Sequence, residues 1–293
     1  MAKKAEPIVQ QGARLGEGSL WHSQAQRLLW VDIMGQTVFV FDPKTGENRG
    51  LNVGRDVGTV VPRKSGGLML GVKGGFASLD LETEAVEEIA MVETELPNNR
   101  FNDGKCDPAG RFWAGSMAYD FAKGAGSLYC MTPDLSVRKV LSDVSISNGL
   151  VWTADQTTLY YIDSLAFQVA AFDYDVETGD IANRRVVVEL PEDVGFLDGM
   201  SIDAGGNLWV AIYGAGEVRC WNPSSGRLLD TVTVPGAKLT TSCAFGGPDL
   251  DELYITSASD GLTARDKEEQ PLAGSLFRAE LDVSGAPAFE FAG

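Results

Sequence analysis

Asp107-Pro108-Ala109-Gly110 runs straight into Arg111-Phe112-Trp113-Ala114-Gly115. A turn of Asp, Pro and Gly meets a short strand of aromatic and small apolar residues. The same form returns five times along the chain. Leu28-Leu29-Trp30-Val31-Asp32 follows Ser23-Gln24-Ala25-Gln26, and Leu68-Met69-Leu70-Gly71-Val72 follows Lys64-Ser65-Gly66-Gly67. Leu159-Tyr160-Tyr161-Ile162-Asp163 follows Ala154-Asp155-Gln156-Thr157. Leu208-Trp209-Val210-Ala211-Ile212 follows Asp203-Ala204-Gly205-Gly206, and Leu253-Tyr254-Ile255-Thr256-Ser257 follows Pro248-Asp249-Leu250-Asp251. The strand starts lie 40, 43, 48, 49 and 45 residues apart. Asp, Gly, Pro and Ser at these points close tight hairpins.

A shorter apolar strand precedes each turn. A third strand follows most units, as in Val38-Phe39-Val40-Phe41-Asp42 and Ser127-Leu128-Tyr129-Cys130-Met131. Three or four short strands per unit of about 40–50 residues is the pattern of a propeller blade. Six units nearly exhaust the 293 residues, so one all-β, six-bladed β-propeller domain over 1–293 is expected. The strand near Pro7 to Gln11 is expected to pair with C-terminal strands and close the ring.

Charge narrows the partners. The chain carries 24 Lys+Arg against 41 Asp+Glu, a net charge of −17. Phosphate backbones need a positive field, so nucleic acid is excluded as a partner, and an anionic membrane surface is disfavoured. No apolar run is long enough to span a bilayer. Met1-Ala2-Lys3-Lys4 is not followed by an apolar signal segment, so a cytoplasmic protein is expected. Cys106, Cys130, Cys220 and Cys243 form no CxxC pair, which argues against a zinc ribbon and a dense disulfide framework. A monomer or weak homo-oligomer is expected.

A propeller brings one end of each innermost strand to one mouth of a central channel. The residues just before each inner strand then form one ring. They are Glu17-Gly18, Gly58-Thr59, Asn102-Asp103-Gly104, Asn148-Gly149, Asp198-Gly199 and Ser242-Cys243. Two carboxylates and two amides from four units converge, and unpaired charge in a channel is costly unless a cation sits between. All-oxygen ligands suit hard cations such as calcium, magnesium or manganese; zinc also accepts carboxylate. His22 is the chain's one histidine, so a Ser-His or Cys-His nucleophile at Ser242 or Cys243 has no base to work with. His22 is read as structural, and Trp30, Trp113 and Trp209 as core.

Several of these stretches resemble one family. Leu15-Gly16-Glu17-Gly18-Ser19-Leu20-Trp21 and Arg100-Phe101-Asn102-Asp103-Gly104-Lys105 are similar to motifs of the senescence marker protein, regucalcin, gluconolactonase and luciferin-regenerating enzyme family. So are Ser147-Asn148-Gly149-Leu150, Leu197-Asp198-Gly199-Met200 and Thr241-Ser242-Cys243-Ala244-Phe245-Gly246-Gly247. Any one motif is weak; five in order on a six-fold repeat are specific. The resemblance implies four-stranded blades and a metal-dependent lactonase that opens a sugar lactone, of gluconolactone, xylonolactone or arabinonolactone type. It implies Glu17, Asn148 and Asp198 as ligands of one divalent metal cation, calcium first, with zinc, manganese, magnesium or iron open. It implies Asp198 as general base, and Arg100 and Asn102 as contacts to the sugar.

The chain departs from the family at one place. An acidic residue that bonds substrate hydroxyls is common there after the strand ending in Met-Ala. Here Gly115-Ser116-Met117-Ala118 is followed by Tyr119 and then Asp120. Either Tyr119 or Asp120 takes that contact, and either alters the sugar preferred. Two other functions fit the same metal set: an arylesterase or phosphotriesterase, and a non-enzymatic calcium-binding regulatory protein. Lys105 and Asp103 are expected to brace the loop around Asn102.

Overall fold

The six turn-and-strand units become six antiparallel sheets in a computed structural model that describes residues 3–293. Each sheet is one blade of a β-propeller. Blade 1 runs Gly16–His22, Arg27–Asp32, Thr37–Phe41 and Asn48–Asn52, in chain order from the channel outward. Blades 2, 3 and 4 repeat that order from innermost strands Val57–Pro62, Asn99–Cys106 and Ser147–Trp152. The innermost strands of blades 5 and 6 are Phe196–Ile202 and Thr240–Gly246. Each innermost strand packs against those of both neighbouring blades, and the sixth returns to the first.

The aromatic strands that reveal the repeat are therefore the second strand of each blade. Arg27–Asp32, Phe112–Ala118 and Leu208–Tyr213 carry Trp30, Trp113 and Trp209, all fully buried between blades. Trp30 stacks on Phe39 with ring centroids 4.2 Å apart. Trp113 meets Trp152 and Tyr174 edge-on. These tryptophans are blade-packing core.

Two of the turn aspartates reach forward to such a tryptophan. Asp107 accepts from the Trp113 indole N–H at 2.9 Å, and Asp203 from that of Trp209 at 3.1 Å. A buried indole donor needs a partner, and an aspartate six residues earlier, at the hairpin turn, supplies it.

The N-terminal segment closes the ring as expected. Glu6–Val9 is the outermost strand of blade 6 and pairs antiparallel with Leu276–Glu280. Lys3–Lys4 adds a short parallel strand to the edge of blade 5 at Arg227–Thr233. The tail after blade 6 crosses the turns at the other end of the channel. Ala204 N–H donates to Ser284 O at 2.8 Å, Lys64 N–H to Phe291 O at 2.8 Å, and Ala292 N–H to Gly110 O at 3.0 Å. Phe291 is wholly buried, and Glu290 faces His22 at 3.3 Å. His22 thus has a structural partner in the tail.

All four cysteines are buried and free. Burial pushes the Cys243 thiol up to about 12, with nearby Lys105 pulling against it. That thiol is no nucleophile near neutral pH. Among the described residues, no helix is long and apolar enough to cross a membrane.

Candidate metal centre in the channel

Every innermost strand breaks register at the same height. In blade 3 the pairing jumps from Phe101 opposite Ser116 to Gly104 opposite Ala114. Asn102 and Asp103 together oppose the single residue Gly115, which is a β-bulge. Asn148-Gly149, Asp198-Gly199 and Thr241-Ser242 stand in the same two-against-one position in blades 4, 5 and 6. Blades 1 and 2 shift between Glu17 and Leu20 and between Val57 and Thr59. The ring residues were expected in loops ahead of the strands. They lie within the innermost strands: Asn102, Asn148 and Asp198 stand in the bulge itself, and Glu17 pairs with Val31 immediately before it.

The glycines after Asn148 and Asp198 have a steric reason. A Cβ on Gly149 would lie 2.7 Å from Asp198 O, and one on Gly199 would lie 2.8 Å from the Ser242 Cα. Neighbouring inner strands come too close there for a side chain.

Above the ring opens a cavity of about 640 Å³, lined by Glu17, Arg100, Asn102, Tyr119, Asn148 and Asp198 among others. Asp120 does not line it. Its side chain is exposed and accepts from Ala122 N–H at 3.3 Å. Of the two residues expected to replace the acidic contact, Tyr119 is the one in the cavity wall.

At the cavity floor the Asn148 amide is oriented by a relay. Its Nδ2 donates to Ser164 Oγ at 2.8 Å, and Ser164 Oγ donates to Leu197 O at 2.6 Å. The relay fixes which end of the amide is which. Asn148 Oδ1 is left buried without a partner, and so is Asp198 Oδ1. Glu17 Oε2 accepts from Gly18 N–H at 3.2 Å. Buried oxygens are normally satisfied, and two orphaned acceptors beside the Glu17 carboxylate ask for a cation.

The electrostatics agree. Burial, then the Asp103 charge, pushes the Glu17 carboxyl up to about 8. Burial, then the Glu17 and Asp103 charges, holds Asp198 well above the usual carboxylate range. Burial lowers the Arg100 guanidinium, against the pull of Glu17 and Tyr119. Among the described residues there is no cluster of three Asp, Glu, His or Cys that could hold a metal. The set is instead two carboxylates and one amide oxygen. Three oxygen donors with room for water suit calcium or magnesium, and the lack of nitrogen or sulfur ligands counts against zinc.

These shifts predict how the metal-free protein behaves. Glu17 holds its proton in the folded chain above its ordinary 4.5. The unfolded chain has by then lost that proton, so stability falls as pH rises from about 4.5 toward 8. Calcium binding needs deprotonated ligands and tightens over the same window. Thermal midpoints at pH 5 and pH 8, in chelator and in calcium, check this. Calcium should raise the midpoint more at pH 8; an equal gain at both pH values counts against the ligand set.

The other polar residues are engaged, except that Asp103 Oδ2 is also buried without a partner. Arg100 donates from one nitrogen to Phe101 O at 3.0 Å and to Asn102 Oδ1 at 2.6 Å. Asn102 Nδ2 donates to Ser147 O at 2.8 Å. Asn102 therefore holds Arg100 through its amide oxygen while its amide nitrogen ties it to blade 4. The Tyr119 hydroxyl donates to Asp56 Oδ2, and its ring lies under Lys73 Nζ at 4.8 Å. Asp103 Oδ1 accepts from Gly104 N–H at 2.7 Å, while Lys105 Nζ donates across the channel to Met200 O in blade 5. Asp103 braces its own bulge as expected, but Lys105 braces the strand of Asp198. Asp56 and Ser164 were not foreseen, because each acts through a partner from another stretch of chain.

Comparison with known proteins follows the same lines. A family model described as SMP-30/Gluconolactonase/LRE-like region matches residues 15–259. The regucalcin of Xenopus laevis is 45% identical over 296 residues, covering 99% of each chain. A solved luciferin-regenerating enzyme superposes with a TM-score of 0.93 at 33% identity, covering 100% of both chains. A protein described as calcium-binding regucalcin, from Agrobacterium tumefaciens, gives a TM-score of 0.95 at 26% identity over 100% of this chain and 99% of its own. The chain belongs to the SMP-30/gluconolactonase/luciferin-regenerating-enzyme family.

Proposed function

We propose that this protein is a metal-dependent lactonase that hydrolyses a sugar lactone to the open acid. One observation carries the reading. Asn148 Oδ1 and Asp198 Oδ1 are buried without partners at the floor of a cavity large enough for a small molecule. Glu17, Asn148 and Asp198 would hold a divalent cation, calcium first. Bound there, the cation supplies Lewis acidity to the lactone carbonyl and positive charge for the developing oxyanion.

The chain's own groups do the rest. Asp198 takes a proton from the attacking water as the new C–O bond forms. The ring C–O bond then breaks, and the ring oxygen leaves as a hydroxyl on receiving that proton. Arg100, held by Asn102, points its remaining N–H groups at the lactone and fixes its orientation. Ser164 keeps the Asn148 oxygen turned to the floor.

The test is acid release from five- and six-membered sugar lactones, an aryl ester and an organophosphate. Chelator-stripped protein is assayed with calcium, magnesium, manganese, zinc or ferrous iron restored singly, the stripped protein serving as blank. Cation-restored opening of lactones ahead of the other esters is expected. Faster aryl ester or organophosphate cleavage would favour the esterase reading.

A second reading has its own support. The Agrobacterium tumefaciens relative is described as calcium-binding. A chain that binds calcium and turns over no ester would be a binding protein.

A further inference from the structure

Arg100 is a buried cation without an anion. It is 6% exposed and stands in the cavity wall. Its Nη1 meets Phe101 O and Asn102 Oδ1, both neutral acceptors. Its Nε and Nη2 bond nothing among the described residues, and neither atom is sealed inside the protein, so their hydrogens open on the cavity. The other buried arginine, Arg111, has Asp107 beside it at 3.1 Å. Arg100 makes no such pair among the described residues. A charge taken out of water is costly unless an opposite charge meets it.

The carboxylates around it are committed elsewhere. Glu17 and Asp198 pull on Arg100 from the floor, but the cation they would hold offsets their charge. Asp56 accepts from the Tyr119 hydroxyl and, at its other oxygen, from Gln36 Nε2 at 3.1 Å. Asp260, at the rim, pairs with Arg14 at 2.8 Å. Tyr119 meets two cations: Lys73 Nζ lies 4.8 Å from its ring centre and Arg100 Cζ 6.0 Å from it. Burial, then the bond to Asp56, keeps the Tyr119 phenol neutral, so it offers them no charge. Sugar hydroxyls still find partners in the same cavity, because the Tyr213 hydroxyl and Asp260 Oδ2 bond nothing among the described residues.

We propose that Arg100 binds a carboxylate of the substrate, so that the preferred sugar lactone carries a carboxylate at its terminal carbon in place of a hydroxymethyl group. The guanidinium takes the two oxygens through Nε and Nη2, a fork that matches a carboxylate. The lactone carbonyl lies at the floor and the hydroxyls along the wall. This substrate class rests on the lactonase reading, and binding of an analogue that cannot be opened tests it apart from that reading.

γ-Gluconolactone and glucaro-1,4-lactone differ only at the terminal carbon, hydroxymethyl in one and carboxylate in the other. Both are assayed on calcium-loaded protein, and the two matching inert γ-lactams are titrated by calorimetry. In kcat/KM and in lactam affinity the carboxylate form should lead by about thirtyfold, the scale of a charge-assisted bidentate contact. Arg100→Gln should bring both ratios to about one. Tyr119→Glu, at a half-buried position, sets a carboxylate of the protein near the same guanidinium and should cut each ratio by about tenfold. Wild-type ratios near one, or a lead that survives Arg100→Gln, overturn the inference, and the lactonase reading stands if both lactones are opened. Should Arg100→Gln fail to fold, Tyr119→Glu decides, and an unchanged lead there overturns the inference. A carboxylate lead in lactam affinity with no lactone opened supports the anion site and overturns the lactonase reading.

Discussion

Asp198→Ala should slow lactone opening by about a thousandfold, the scale of losing a general base. The change removes a proton acceptor and a cation ligand together. Asp198→Asn separates the two. It keeps an oxygen aimed at the floor but cannot accept the proton from water. If Asp198 is the base, the Asn variant loses nearly as much turnover as the Ala variant while still binding calcium, only more weakly. Equal loss of turnover and of calcium binding in both would make Asp198 a ligand alone. Full turnover in either would remove it from the reaction. The raised carboxyl of Asp198 bears on the same point. Burial and the neighbouring Glu17 and Asp103 charges disfavour its ionised form, and a cation beside it would restore that form, the one able to accept a proton.

The largest stability effect is expected far from the floor. Asp107 is completely buried, yet it meets four donors. It accepts from the Arg111 backbone N–H at 2.8 Å, from Trp113 Nε1 at 2.9 Å and from the Tyr174 hydroxyl at 2.7 Å, and pairs with Arg111 Nε at 3.1 Å. Asp107→Ala would strand the Arg111 charge, an indole N–H and a phenol inside the protein. Breaking a buried ion pair from one side costs about 3–5 kcal/mol. For a chain of this size that lowers the thermal midpoint by about 10 °C. Asp203→Ala is the natural comparison. Asp203 also takes a tryptophan N–H, but its other donors are Asn207 and no arginine. Its loss should cost less. A thermal midpoint for Asp107→Ala within about 2 °C of wild type would show that the network contributes little.

These two aspartates mark how much of the molecule is legible in the amino-acid sequence. Asp107-Pro108-Ala109-Gly110 announces a hairpin because turn chemistry is local. Six such hairpins at similar intervals announce blades. The ring of Glu17, Asn102, Asn148 and Asp198 is legible for the same reason, since each sits at one place in the repeat. The bulges at Asn102, Asn148 and Asp198, and just after Glu17, are not legible. A bulge depends on how one strand slips against its neighbour, and Asn148-Gly149 reads equally as a turn. Longer-range contacts leave even less trace. The Tyr119 hydroxyl meets Asp56, 63 residues away, and Lys105 reaches Met200, 95 residues away. Neither pairing has a spacing that any local pattern would favour. The closing tail shows the same limit: the stretch around Phe291 has no strand signature, because it is held by the backbone of Pro62 and Lys64.

A single cation on Glu17, Asn148 and Asp198 is expected to switch lactone opening on. The most direct test is a calcium titration of chelator-stripped protein, with bound metal followed by calorimetry and acid release from δ-lactones followed in the same samples. One calcium per chain is predicted, with turnover rising in step with occupancy and both lost together in Glu17→Gln. Undiminished lactone opening in the stripped protein, at zero bound metal, would rule out a metal-dependent reaction at this site.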